Sequence, residues 1–94
     1  MIALALAWLV SVQAPPARFD HEATNVEVIE RPDGEVNKLC RILSGYRGTA
    51  RILACAMPTK RRCVIVFPKG VSRTGVLYRH EQAHCNGWPS HHPQ

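Results

Sequence analysis

Two histidines and a glutamate at helical spacing carry the strongest chemical signal in the sequence. His80, Glu81 and His84 form the pattern H-E-x-x-H, and residues four apart lie on the same face of an α-helix. Both imidazoles can therefore reach one metal ion, and neutral imidazole is a good zinc ligand. Glu81 lies about 100° round the helix from His80, where its carboxylate can reach a metal-bound water. The spacing predicts a Zn²⁺ site with a general base beside it.

A third ligand is expected after the helix. Gly87 is a natural residue for a helix C-terminus, and His91 and His92 follow it by a few residues. A turn at the glycine lets the chain double back toward the helix, so either histidine can supply the ligand. Zinc held by three protein ligands keeps a position for water and lowers the pKa of that water to about 7.

This part of the chain resembles the zincin metallopeptidases and, in part, their metzincin subgroup. The metzincin pattern has a glycine three residues after the second histidine and a third histidine three residues after that glycine. Four residues match it: His80, Glu81, His84 and Gly87. Ser90 stands at the position of the third ligand, and His91 and His92 come one and two residues later. The resemblance therefore requires a wider turn than the metzincin one.

The same stretch also resembles the tail of small bacterial exported proteins with H-E-x-x-H-C-N-G-W-P and a later histidine. In that tail the histidine directly before the final proline is the regular one, which favours His92 over His91. The zincin resemblance implies hydrolysis of a peptide or protein, with Glu81 passing a proton to the leaving amine. Three residues are candidates for a second donor to the oxyanion: Tyr46, Tyr78 and Arg79.

The site needs a helix packed on strands. Residues 63–67 are apolar and rich in β-branched side chains, are followed by Pro68 and Gly70, and predict the clearest strand. Ser72 is a good N-cap for a helix over residues 74–86. Residues 25–30 alternate like a half-buried strand, and residues 49–57 predict another.

Residues 35–43 fit two structures. The Pro-Asp-Gly turn before them favours the second strand of a hairpin, whereas the spacing of their apolar residues fits a short helix. We favour the hairpin. The expected fold class is then α+β: a small antiparallel β-meander with one C-terminal helix carrying H-E-x-x-H, stapled by disulfides.

The four cysteines predict a disulfide framework. Their number is even in a short chain and none forms a C-x-x-C pair, which argues against a four-cysteine zinc ribbon. Three pairings are open. Cys55 and Cys63 flank a predicted hairpin connection, so we expect them to pair, which leaves Cys40 to pair with Cys85.

The N-terminus predicts export. Residues 2–10 are almost all apolar and residues 1–17 have no charged side chain, which fits a signal peptide and is too short to span a bilayer. Cleavage is expected after Ala14 or Ala17. Residues 1–17 would then be removed, leaving residues 18–94 as one domain in the periplasm or secreted, without a stable membrane span. The alternative is an N-terminal strand or helix packed in the core.

The distribution of charge bears on whether the protein binds nucleic acid. The net charge is +5, but the arginines are scattered, and the run at residues 60–62 is typical of a solvated loop. No specific nucleic-acid partner is expected. An exported zinc metallopeptidase is favoured. The alternative is a non-catalytic zinc- and disulfide-stapled envelope protein that binds a protein partner, and a basic envelope or nucleic-acid binder rests on charge alone.

Overall fold

The computed structural model describes residues 12–94, which form a small mixed sheet with a helix on each face. A short 3₁₀ turn at Ala17–Phe19 precedes five elements: β1 (Val26–Arg31), α1 (Asp33–Ser44), β2 (Cys55–Pro58), β3 (Cys63–Pro68) and α2 (Val76–Cys85). The α+β class, the C-terminal helix and the presence of disulfides are confirmed.

The sheet is mixed rather than an antiparallel meander. Its strand order is β1-β3-β2, with β3 in the centre. β1 runs parallel to β3, and β2 runs antiparallel to it through the hairpin. A parallel pair needs a crossover between its strands, and α1 lies in that crossover.

The crossover helix replaces the expected second hairpin strand. Residues 35–43 lie within α1, so the hairpin interpretation is wrong and the helical spacing is the better guide. Val36 and Cys40 are one turn apart and both are fully buried. Asp33 and Glu35 lie in the first turn, where carboxylates favour a helix N-terminus. Gly45 ends the helix with φ 73°, a conformation that glycine adopts without strain.

The central strand separates two layers of core. Val66 faces α1, where it packs with Val36 and Cys40. Ile65 and Phe67 face the other way, toward α2. The alternation along β3 therefore buries both faces of the strand, which is why its sequence is a continuous apolar run.

Helix α2 packs directly on this second face. The ring of Tyr78 meets Phe67 edge to face at 5.3 Å between centroids. The helix begins at Val76, after a Gly75 N-cap, rather than at Thr74. Ser72 accepts a hydrogen bond from the Thr74 backbone N–H at 3.1 Å, so it stabilises the turn before the helix instead of capping it.

The two disulfides each join a helix to the sheet. They link Cys40 to Cys55 and Cys63 to Cys85, so the expected pairing is wrong. The register of the hairpin explains why Cys55 and Cys63 do not pair. Cys55 lies opposite Val66 and Cys63 lies opposite Pro58, so the two cysteines are not cross-strand neighbours. Cys55 also packs on the α1 side of the sheet, where Cys63 cannot reach it.

Two observations bear on the cellular compartment. The disulfides are consistent with an oxidising, extracytoplasmic environment. No helix in residues 12–94 is both long and apolar enough to cross a membrane. Most of the expected signal peptide, residues 1–11, lies outside the described part of the chain.

The pairing gives a first testable prediction. Peptide mapping under non-reducing conditions should recover Cys40 with Cys55 and Cys63 with Cys85. Replacing Cys63 and Cys85 together by serine should lower the free energy of unfolding by about 3 kcal/mol, since that bond closes a loop with a sequence separation of 22. Urea titration in the absence of metal measures this change. A fragment joining Cys40 to Cys85 would contradict the structure.

Candidate metal centre

Helix α2 ends in a way that brings the next residues of the chain back toward it. Gly87 has φ 101°, and its N–H donates to the His84 carbonyl at 3.1 Å. The N–H of Trp88 donates to the Ala83 carbonyl at 3.0 Å. These two bonds form a Schellman motif, which satisfies the last carbonyls of the helix and reverses the chain. The glycine turn expected from the sequence is therefore present.

A second turn, over residues 89–92, directs the end of the chain toward α2. The N–H of His92 donates to the Pro89 carbonyl at 2.9 Å, and His92 has φ 60°. Histidine is one of the few residues other than glycine found in this left-handed region with some frequency. Trp88 anchors the loop because it is 2% exposed and its indole N–H donates to the Pro93 carbonyl at 2.8 Å.

Three histidines converge at this point. His80, His84 and His92 place one nitrogen each within 4.8 Å of one another. Nε2 of His84 lies 3.3 Å from Nε2 of His80 and 3.1 Å from Nε2 of His92. The structure thus groups the two helix residues with His92, the expected third ligand. His91 is exposed and is not part of the cluster.

Backbone carbonyls orient the two helix imidazoles. Nδ1 of His80 lies 2.6 Å from the Gln13 carbonyl oxygen, and Nδ1 of His84 lies 2.8 Å from that of Trp88. A carbonyl can only accept, so each Nδ1 carries the proton and each neutral ring has a lone pair on Nε2. Two lone pairs then point at the same small volume, an arrangement that a bound cation stabilises.

The spacing of the nitrogens fits a tetrahedral metal. Zinc–nitrogen bonds of about 2.0–2.1 Å at tetrahedral angles separate neighbouring nitrogens by about 3.3 Å. The two measured separations, 3.3 and 3.1 Å, are close to this value. Two of the three separations therefore already suit a shared ion, and all three ligand nitrogens lie within 4.8 Å of one another.

The environment favours the neutral form of two ligands. Burial lowers the pKa of His80, although the Gln13 carbonyl acts in the opposite direction. Burial and the neighbouring His84 lower the pKa of His92 as well. Metal binding requires unprotonated imidazole nitrogen, so both shifts favour ligation near neutral pH.

Glu81 is the buried acid of the site. Glu81 is only 6% exposed. Burial raises the pKa of its carboxyl group to about 7. A carboxyl group with such a pKa can both accept and return a proton near neutral pH. It lies on the wall of the same cleft as the three histidines.

The cleft is an open depression of about 350 Å³. One wall is the end of β2 and the residue before it, which contribute Ala54, Ala56 and Pro58. The opposite wall is α2 with the C-terminal loop, including Ser90. β2 is an edge strand of the sheet, and Ala54 and Ala56 line the cleft from the face that α2 covers.

The expected oxyanion donors lie elsewhere. Tyr78 packs against Phe67 in the core, and the Tyr46 hydroxyl accepts from the Ala50 N–H in the loop after α1. Arg79 is paired with Asp20. None of the three lines the cleft. The role of the Gln13 carbonyl was not foreseen, because a backbone carbonyl carries no signature in the sequence.

Comparison with known proteins assigns the chain to no family. No protein-family model, no curated protein and no solved structure matches the chain. The zincin resemblance therefore stays an expectation from the motif.

The geometry predicts that His92 binds the metal and His91 does not, which an experiment can test. We expect protein prepared without a His tag to carry about one metal ion per chain by elemental mass spectrometry. His92→Ala removes a direct ligand. It should therefore weaken metal binding by more than the roughly 10–100-fold that is typical when a group that only orients a ligand is lost. His91→Ala is the matched control and should leave affinity unchanged. Equal losses in both variants would contradict the assignment of His92.

Proposed function

We propose that the protein is an exported zinc metallopeptidase. Its zinc ligands are His80, His84 and His92, and Glu81 is its general base. The observation that carries the proposal is the position of Glu81, a buried carboxyl group on the wall of the cleft that holds the three-histidine cluster. A structural metal site can work without such a group, whereas hydrolysis needs a base near the metal.

The openness of the cleft supports catalysis. Structural zinc sites are closed by four protein ligands, whereas catalytic sites keep a position for water or substrate. Within residues 12–94, the cluster of potential ligands has three members and borders a cleft of about 350 Å³. Water and a substrate carbonyl can therefore both reach it.

The chemistry of the proposal is hydrolysis of a peptide bond. Zinc, when bound, would polarise the scissile carbonyl and acidify water. Glu81 removes one proton from the attacking water as its oxygen bonds to the carbonyl carbon. Glu81 then delivers that proton to the amide nitrogen as the carbon–nitrogen bond breaks. One water is consumed, and a carboxylic acid and an amine are released, which ionise to a carboxylate and an ammonium group.

The wall formed by β2 supports a peptide as the substrate class. An edge strand presents backbone N–H and C=O groups that an extended chain can pair with. Small side chains line this wall, chiefly Ala54 and Ala56, and they leave space for a backbone to approach. Export to the periplasm or the medium agrees with the two disulfides.

Glu81→Gln tests the proposed base. The amide keeps the shape of the side chain but cannot accept the proton, so hydrolysis should fall by about 10²–10⁴-fold while the metal stays bound. The assay is cleavage of a broad peptide library by zinc-loaded protein, followed by mass spectrometry. Glu35→Gln, an exposed glutamate on α1, is the matched control and should retain full activity.

The alternative of a non-catalytic, zinc-stapled partner-binding protein predicts a different result. Zinc-loaded wild-type protein would then cleave no member of the library. Hydrolysis that survives Glu81→Gln unchanged would instead refute the role of Glu81 while leaving the metal site in place.

A further inference from the structure

A segment far from the motif in sequence lies across the metal-binding helix. Residues 13–23, here called the N-terminal strap, contact α2 and the residue after it at four positions along the helix. The first contact is the Gln13 carbonyl, which accepts from Nδ1 of His80 at 2.6 Å. The last is the Ala23 N–H, which lies 3.4 Å from the Gln82 side-chain oxygen.

Two side chains clamp the strap between these points. The Arg79 guanidinium makes a bidentate pair with the Asp20 carboxylate, and one of its bonds, from Nε to Oδ1, is 3.1 Å. Bidentate arginine–carboxylate pairs fix orientation as well as adding energy. The hydrogen bond and the charge of Arg79 together hold the pKa of Asp20 below its usual value.

Asn86 supplies the second clamp at the end of the helix. Its side-chain amide donates to the Phe19 carbonyl at 3.0 Å and to the His21 carbonyl at 2.7 Å. One amide group thus bridges two backbone carbonyls of the strap. The residues that make these clamps, Arg79 and Asn86, lie directly beside His80 and near His84 in sequence, so the strap is held by neighbours of the two helix histidines.

We propose that the N-terminal strap is a positioning element of the metal centre, and that Asp20 and Asn86 act on the metal through it. The inference rests on the proposed metal site. The Gln13 carbonyl fixes the tautomer and ring direction of His80, and the two clamps hold residues 19–21 of the same strap, which a 3₁₀ turn at Ala17–Phe19 connects toward Gln13. Groups that orient a ligand in this way typically change metal affinity about 10–100-fold when they are lost.

The test compares two clamp variants with wild type in the full chain. Asp20→Ala and Asn86→Ala should each weaken Zn²⁺ binding about tenfold or more, measured by competition with a chromogenic chelator. Long-range ¹⁵N NMR should show a single Nδ1–H tautomer for His80 in wild type and a mixture in the variants. A loss of stability alone would not produce that mixture.

Asp33→Ala is the matched control, since it removes another aspartate paired with an arginine, Arg51, on the α1 side of the sheet. It should leave both zinc affinity and the His80 tautomer unchanged. Wild-type affinity in both clamp variants would overturn the strap inference while leaving the proposed function intact. Wild-type protein that binds no Zn²⁺ would instead overturn the proposed function.

The strap also bears on processing. Cleavage after Ala14 or Ala17 would detach Gln13 from the chain and take its carbonyl away from His80. Both cleavage positions expected from the sequence are therefore replaced by the strap inference: the metal-loaded mature protein should retain Gln13, as measured by its intact mass. A metal-loaded mature chain that begins at Pro15 or Arg18 and keeps a single His80 tautomer would overturn the role of Gln13.

Discussion

The burial of both faces of β3 is the constraint on which the rest of this structure depends. Val66 on one face and Ile65 and Phe67 on the other are fully buried, so the strand needs a helix on each side. A domain of this size has little apolar area to divide between two interfaces. Each helix is accordingly joined to the sheet by a disulfide, and the bond from Cys63 holds α2 where its histidines face the cleft.

The polar constraint on the site is equally strict. The imidazoles of His80 and His84 donate from Nδ1 to backbone carbonyls. The lone pairs of their Nε2 atoms therefore point toward the centre of the histidine cluster. In a metal-free protein, protonation or rotation of a ring would relieve their repulsion. Burial disfavours the protonated form of His80, and the carbonyls oppose rotation, so a bound cation would stabilise the arrangement.

Local signals in the sequence predicted the local parts of this fold. The apolar run of β3, the Gly87 turn and the helical spacing of His80 and His84 depend on neighbouring residues, and the structure contains all three. The disulfide pairing and the parallel β1–β3 contact were missed, because they depend on which strands meet across the crossover. Residues 35–43 show the same difficulty, since their turn residues and their periodicity favoured different elements.

The small size of the domain explains why both ends of the described chain reach one site. Histidine ligands are commonly oriented by carboxylates, backbone carbonyls or water, and here the backbone carbonyls of Gln13 and Trp88 orient them. His92, close to the C-terminus, completes the cluster. A metal bound there would act as a further cross-link, because it would join the tail to α2 and so restrict the unfolded chain in the way a disulfide does. Site and stability would then depend on the same ion, which fits a domain whose core alone is modest.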